Sequence, residues 1–155
     1  MTTSLTEIYN FLPIDARWAT AGQPTVEQFA AIKAAGYEVI INLGMPDSPR
    51  AVSNEADVVA AQGIDYVAIP VVWEAPTAAD LAAFFAAMTA HQGQKRFVHC
   101  IANMRVSAFT FLYRVLVLGV PVDEARQTLH QIWEPNPLWR QFIDEQLATY
   151  ASGTQ

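Results

Sequence analysis

The residues that could do chemistry lie together in His99-Cys100-Ile101-Ala102-Asn103-Met104-Arg105, where the only cysteine of the chain stands between a histidine and an arginine. A lone thiol cannot close a disulfide within the chain, so it serves either as a nucleophile or as a small buried apolar group. Its neighbours argue for the first use. Arg96-Phe97-Val98-His99 reads as a short apolar strand after Gly93. The apolar run 106–118, stopped by Gly119 and Pro121, reads as a helix. Cys100 then sits on a turn that feeds a helix N-terminus. Unpaired backbone N–H groups and the helix macrodipole converge there, which attracts oxyanions and favours thiolate over thiol. Arg105 adds a planar donor fork matched to two oxygens of a phosphate, and His99 is placed to hold the loop through a ring hydrogen bond.

This arrangement resembles the cysteine-dependent protein tyrosine and dual-specificity phosphatase superfamily, whose signature is His-Cys, a phosphate-binding loop, then Arg. Ala21-Gly22-Gln23-Pro24, the helix ending at Gly36, Val39-Ile40-Ile41-Asn42-Leu43 and Val67-Ala68-Ile69-Pro70-Val71 extend the likeness in order and spacing over residues 12–118. They look like the bacterial branch that includes the phosphatase-like domain of beta-lactamase-hydrolase-like proteins. The resemblance implies that Cys100 attacks phosphorus and forms a cysteinyl-phosphate that water hydrolyses, with no metal and no cofactor. It implies that Ile101, Ala102, Asn103, Met104 and Arg105 bind the substrate oxygens. Ser107, seven residues after Cys100, is then the hydroxyl that eases departure of the thiolate. Glu74, in Trp73-Glu74-Ala75-Pro76, takes the place of the acid that protonates the leaving group, with Asp47 and Asp80 as alternatives. His99, Asn42 and Asp47 support the loop.

The pattern departs from the family in two ways. Four residues separate Cys100 from Arg105, where the family commonly has five, and the usual loop glycine is missing. Asn103 is the expected substitute, because asparagine tolerates the left-handed backbone conformation. Arg105 comes one residue early while Ser107 keeps its register, so the guanidinium is expected to reach the anion from a different side. The short loop also resembles that of rhodanese-type sulfurtransferases, in which Cys100 would carry a persulfide. A noncatalytic oxyanion-binding module is the third reading.

Composition bounds these readings. The 155 residues suit one domain, 1–155, and 52% hydrophobic against 15% charged residues is the reverse of a disordered chain. A net charge of -6 opposes nonspecific attraction to nucleic acid or anionic lipid, so an anion site must be a local field. The expected partner is a phosphorylated protein or a small phosphate ester, with no nucleic acid and no membrane. A functional thiol without a resolving cysteine suggests a reducing compartment, the cytoplasm. The N-terminal Met1-Thr2-Thr3-Ser4-Leu5-Thr6-Glu7 lacks the basic region and apolar core of a signal peptide. The longest apolar run, 106–120, contains Arg114 and is too short to span a bilayer.

The surrounding elements predict an α/β fold: a central, mostly parallel sheet flanked by helices, in a phosphatase-like layered domain. Leu12-Pro13-Ile14 and Trp18-Ala19 suggest one or two short strands. Thr25-Val26-Glu27-Gln28 is a capping box that opens a helix with Val26, Phe29, Ile32 and Ala35 on its apolar face. The continuous apolar run 39–43 reads as a buried parallel strand. Ser53 is expected to cap a helix reaching Gln62, before a strand over 66–72. Thr77-Ala78-Ala79-Asp80 is a second capping box, which gives Asp80 a purely structural use. Asp123 is expected to cap a later helix, and Pro137 to begin the last.

Ligands of such sheets bind beyond the carboxyl ends of the strands, so the loops after Asn42, after Val72 and at His99-Cys100 should meet over the thiol. In the first of these, Arg50 and Glu55 are candidates for an ion pair that fixes the loop. Trp133 and Trp139 bracket a proline-rich corner that either packs on the core, walls the cleft, stacks on substrate or meets a second copy.

Overall fold

The computed structural model describes residues 4–153, so the reading of Met1-Thr2-Thr3 lies outside the described residues. After a 3₁₀ turn at Leu5–Glu7, strands β1 (Leu12–Asp15) and β2 (Trp18–Ala21) form an antiparallel pair. Alternating helices and strands follow: α1 (Val26–Ala34), β3 (Val39–Asn42), α2 (Glu55–Ala61), β4 (Asp65–Ala68), α3 (Ala78–Ala90) and β5 (Arg96–His99). Three further helices follow: α4 (Met104–Leu116), α5 (Val122–His130) and α6 (Pro137–Gly153). The sheet order is β1-β2-β5-β3-β4, parallel except at β1. This is the α/β architecture expected, with β2 supplying the neighbour that β5 needs on its second side.

Register matters most for the site. Ala21 and Asn42 both pair with His99, and Asn42 pairs with Ala68, so four strand ends lie level beneath one surface. Alternation along the strands then sorts side chains between two layers. Ile40 and Phe97 join Phe29, Ile32 and Val59 under α1 and α2. Val39, Ile41 and Val98 join Leu81, Phe84, Phe109, Leu112 and Trp139 under α3, α4 and α6. Among the described residues, no helix is long and apolar enough to cross a membrane.

Both expected capping boxes form, Thr25 with Gln28 and Thr77 with Asp80, and Pro137 begins α6. Other boundaries move. Asn54 rather than Ser53 precedes α2, and it makes no side-chain cap. Pro121 precedes α5, which puts Asp123 inside the first turn, where a carboxylate still complements the dipole. β4 stops at Ala68 because Pro70 has no N–H to continue a ladder. Even so, Ile69 and Val71 still donate to the carbonyls of Asn42 and Leu43 at 2.9 and 3.0 Å.

Candidate active site

β5 delivers two consecutive side chains to opposite faces: His99 toward α1, its ring 6.2 Å from that of Phe29, and Cys100 into the layer under α4. Cys100 is 1% exposed and lies at the base of a cleft of about 280 Å³ lined by Trp73, Ile101, Ala102, Met104 and Arg105. The loop beyond it is pinned from outside. Cys100 N–H donates to Ala21 at 3.3 Å, Gln23 N–H donates to the Ile101 carbonyl at 3.0 Å, and Gly22 bridges to Ala102. A Cβ on Gly22 would stand 2.6 Å from the Ile101 oxygen, so only glycine permits this approach.

Asn103 adopts φ 65°, the left-handed turn expected of it, and its Nδ2 donates to the Asn10 carbonyl at 2.9 Å and to Thr20 Oγ1 at 3.1 Å. Asn10 reciprocates, with Nδ2 donating to the Ala102 carbonyl at 2.9 Å. The turn at Asn103 starts α4 at Met104, two residues earlier than the apolar run suggested. Met104, Arg105 and Val106 therefore open the helix with N–H groups that have no carbonyl one turn before them.

Arg105 is 7% exposed; its Nη1 donates to the Val71 carbonyl at 2.7 Å and its guanidinium lies 6.0 Å from the centre of the Trp73 ring. That leaves further N–H donors of the fork on the cleft. Trp73 is fixed in turn: Trp139 Nε1 donates to its carbonyl at 3.0 Å, and its ring lies 5.4 Å from Trp133 and 5.7 Å from Trp139. The proline-rich corner thus packs on the core, with Trp139 wholly buried, and reaches the cleft through Trp73.

Beneath the loop lies a buried polar cluster. His99 is wholly buried, with Nδ1 3.0 Å from the Cys100 carbonyl oxygen and Nε2 2.6 Å from Glu55 Oε2. Gln23 Nε2 donates to Glu55 Oε1 at 2.8 Å. Asn42 Nδ2 donates to Glu55 Oε2 at 3.2 Å and to the Tyr66 hydroxyl at 3.0 Å, while Asn42 Oδ1 accepts from Gly44 N–H at 2.8 Å. Burial opposes ionisation of Glu55, but hydrogen bonding and attraction from His99, with the hydrogen bond from Gln23 and the nearby Tyr66 hydroxyl, outweigh it and lower its pKa. Burial and the nearby Glu55 push the Tyr66 hydroxyl up to about 12, against the opposing hydrogen bond from Asn42.

The expected Arg50–Glu55 pair does not form. Glu55 faces inward at 5% exposure, whereas Arg50 is exposed and lies over the Tyr9 ring, 4.8 Å from its centre. The sequence points to Gln23 only within Ala21-Gly22-Gln23-Pro24 and to Glu55 only as a partner of Arg50, while Tyr66 and Asn10 carry no signal of their own.

Four other residues fall away from the thiol. Ser107 donates to the Met104 carbonyl at 2.8 Å and accepts from Trp133 Nε1 at 3.0 Å, because the early start of α4 turns it toward the tryptophan corner. Glu74 is exposed and lines a separate hollow of about 210 Å³ with Pro76, Leu138, Gln141, Phe142 and Glu145, since anchored Trp73 takes the inward place in that loop. Asp80 closes its capping box with Thr77, and Asp47 is exposed in a turn closed by Ser48 N–H to Met45. None of the three carboxylates lines the cleft over Cys100. Among the described residues, no three His, Cys, Asp or Glu side chains group as metal ligands.

A mostly parallel sheet whose strand ends converge on a cysteine loop, with an arginine in the following helical turn, defines a phosphatase-like α/β protein. Solved structures agree. A protein of Shewanella putrefaciens CN-32 described as "Putative phosphatase (DUF442)" superposes with TM-score 0.84 at 35% identity, covering 94% of this chain and 96% of that one. PTPMT1, solved with PI(5)P, shares the fold at TM-score 0.78 and 16% identity, over 94% of this chain and 99% of its own. The chain belongs to the DUF442 phosphatase-like family and has the fold of protein tyrosine phosphatase-like proteins.

In sequence it is 33% identical over 121 residues to the Beta-lactamase hydrolase-like protein of Xylella fastidiosa strain Temecula1, covering 76% of this chain. The chain spans 28% of the length of that relative. No family model matches the chain.

Proposed function

We propose that the chain hydrolyses phosphate monoesters through a covalent intermediate on Cys100. The observation that carries this reading is that Cys100 and Arg105 share one cleft at the N-terminus of α4. The thiolate attacks phosphorus, the P–O ester bond breaks, and the alkoxide or phenoxide leaves. Water then attacks the cysteinyl-phosphate, the S–P bond breaks, and inorganic phosphate departs as the thiolate returns. Arg105 and the amides of Ile101, Ala102, Asn103 and Met104 stabilise the phosphoryl oxygens, which is where most of the barrier reduction in such chemistry arises. The substrate is a phosphorylated protein or a small phosphate ester, and the free thiol suits a reducing compartment such as the cytoplasm.

Because no carboxylate among the described residues lines the cleft, leaving groups that depart without a proton are favoured, and phenolic esters should outpace alkyl ones. On this reading Glu74→Gln changes aryl phosphate turnover by less than about twofold, whereas a positioned general acid contributes about 10²-fold or more. The test is hydrolysis of p-nitrophenyl phosphate, with inhibition by vanadate and loss of turnover in Cys100→Ser. Absence of turnover from about pH 5 to 8, the span over which catalytic acids and bases commonly titrate, would count against it.

The same absence of a proton donor favours one second reading, sulfur transfer. Cys100 would take the outer sulfur of thiosulfate, its S–S bond breaking to release sulfite without protonation, and the persulfide would pass that sulfur to cyanide. Thiocyanate formation, without phosphate ester hydrolysis, would replace the first reading with this one.

A further inference from the structure

His99 has an oxygen at each end of its ring: the Cys100 carbonyl 3.0 Å from Nδ1 and Glu55 Oε2 2.6 Å from Nε2. A carbonyl oxygen only accepts, so Nδ1 carries a proton. The proton at the other end lies on either Nε2 or the carboxyl group. Gln23 donates to Oε1 at 2.8 Å and Asn42 donates to Oε2 at 3.2 Å. Two neutral donors on one buried carboxyl group favour its ionised form. The shared proton then belongs on Nε2, and His99 is a buried imidazolium. Among the described residues, the other side chains recorded against the pair are uncharged: Gln23 beyond β2, Phe29 on α1, Asn42 on β3 and Tyr66 on β4.

We propose that Glu55 is a positioning residue for Cys100: by pairing with His99 it locks the imidazolium so that Nδ1–H holds the Cys100 carbonyl and fixes the turn that carries the thiol. This rests on the reading of Cys100 as the nucleophile. Glu55 acts only through His99. The pair as a whole is neutral, so its field at the sulfur is that of a dipole with the positive end toward the loop, and orientation is the larger part of its effect. It also accounts for Ala21-Gly22-Gln23-Pro24, since Gln23 anchors the carboxylate with its side chain and the Ile101 carbonyl with its own N–H.

The test separates charge from packing. Gln is isosteric with Glu but neutral; Asp keeps the charge but leaves a gap. Aryl phosphate turnover in E55Q is expected to fall about 10–100-fold in kcat, as when supporting partners of a reactive group are lost, with KM within about twofold. E55D is expected to retain more kcat than E55Q. Long-range ¹H–¹⁵N spectra at pH 7, with His99 assigned by difference from H91N and H130N, are expected to show both ring nitrogens protonated in wild type and a neutral ring in E55Q. Alkylation of Cys100 by iodoacetamide is expected to slow in E55Q. A neutral His99 in wild type overturns the proposal. So does E55Q outperforming E55D, or alkylation unchanged in E55Q. The spectra and the alkylation need no substrate, so they decide the proposal even if the protein hydrolyses no phosphate ester. Where E55Q does not fold, the wild-type spectrum decides it.

Discussion

The two faces of the sheet are built from different materials, and Cys100 stands where they meet. Under α3, α4 and α6 the layer is apolar and aromatic, running from Leu81 and Phe84 through Phe109 to Trp139, and it holds the thiol side chain. Under α1 and α2 a smaller apolar layer ends in the hydrogen-bonded cluster of Gln23, Asn42, Glu55, Tyr66 and His99, which holds the cysteine backbone. An aromatic layer defines shape and stability, because packing is nondirectional and scales with buried surface. A buried polar cluster defines orientation, because hydrogen bonds are directional and costly to leave unmade. Substitutions on the two faces should therefore fail in different ways.

The sharpest break comes at the cleft itself. Arg105→Met should lower aryl phosphate turnover by about 10³-fold or more, as removal of a guanidinium from a developing phosphoryl charge does elsewhere, and Arg105→Lys should not restore it, because a lysine cannot present the fork. Steady-state kinetics on folded protein checks both. On the aromatic face, Phe84→Ala removes a wholly buried ring at the centre of several aromatic pairs. It should cost about 3–5 kcal/mol in urea denaturation while kcat of the folded fraction is kept.

On the polar face the effect is smaller and depends on pH. The folded pKa of Glu55 lies below its ordinary value of 4.5, so its contribution to stability is present above that value and is lost as pH falls through the folded value. The stability advantage of wild type over Glu55→Gln should accordingly shrink in acid. An advantage that is flat across that range would contradict the ionised, buried carboxylate. Tyr66 has the opposite sign: with its hydroxyl pushed from 10.0 to about 12, its contribution holds below 10 and is lost as pH rises through about 12. Ultraviolet titration should show a late phenolate step that Tyr66→Phe removes.

Much of the architecture was legible because it rests on local chemistry. Thr25 with Gln28 and Thr77 with Asp80 cap their helices through residues three apart, and the apolar strands around Ile40 and Phe97 are covered on both faces. Asn103 was legible because, with glycine missing from the loop, asparagine is the residue there that best tolerates a left-handed turn.

What stayed hidden depends on register and phase. Residues 23, 42, 55, 66 and 99 meet only because parallel strands align Ala21, Asn42, Ala68 and His99, and Glu55 reads as a partner of nearby Arg50 until its inward direction is known. Ser107 and Glu74 missed the thiol by helical and loop phase: α4 begins at Met104 rather than at 106, and Trp139 holds Trp73 in the inward place beside Glu74.

The most direct measurement is rapid acid quench during turnover of a ³²P-labelled aryl phosphate, followed by mass spectrometry of the peptide that contains Cys100. A phosphoryl group is expected on the Cys100 sulfur during turnover, and none in Cys100→Ser. Turnover without label on Cys100, or turnover that survives Cys100→Ser, would contradict the covalent intermediate on Cys100.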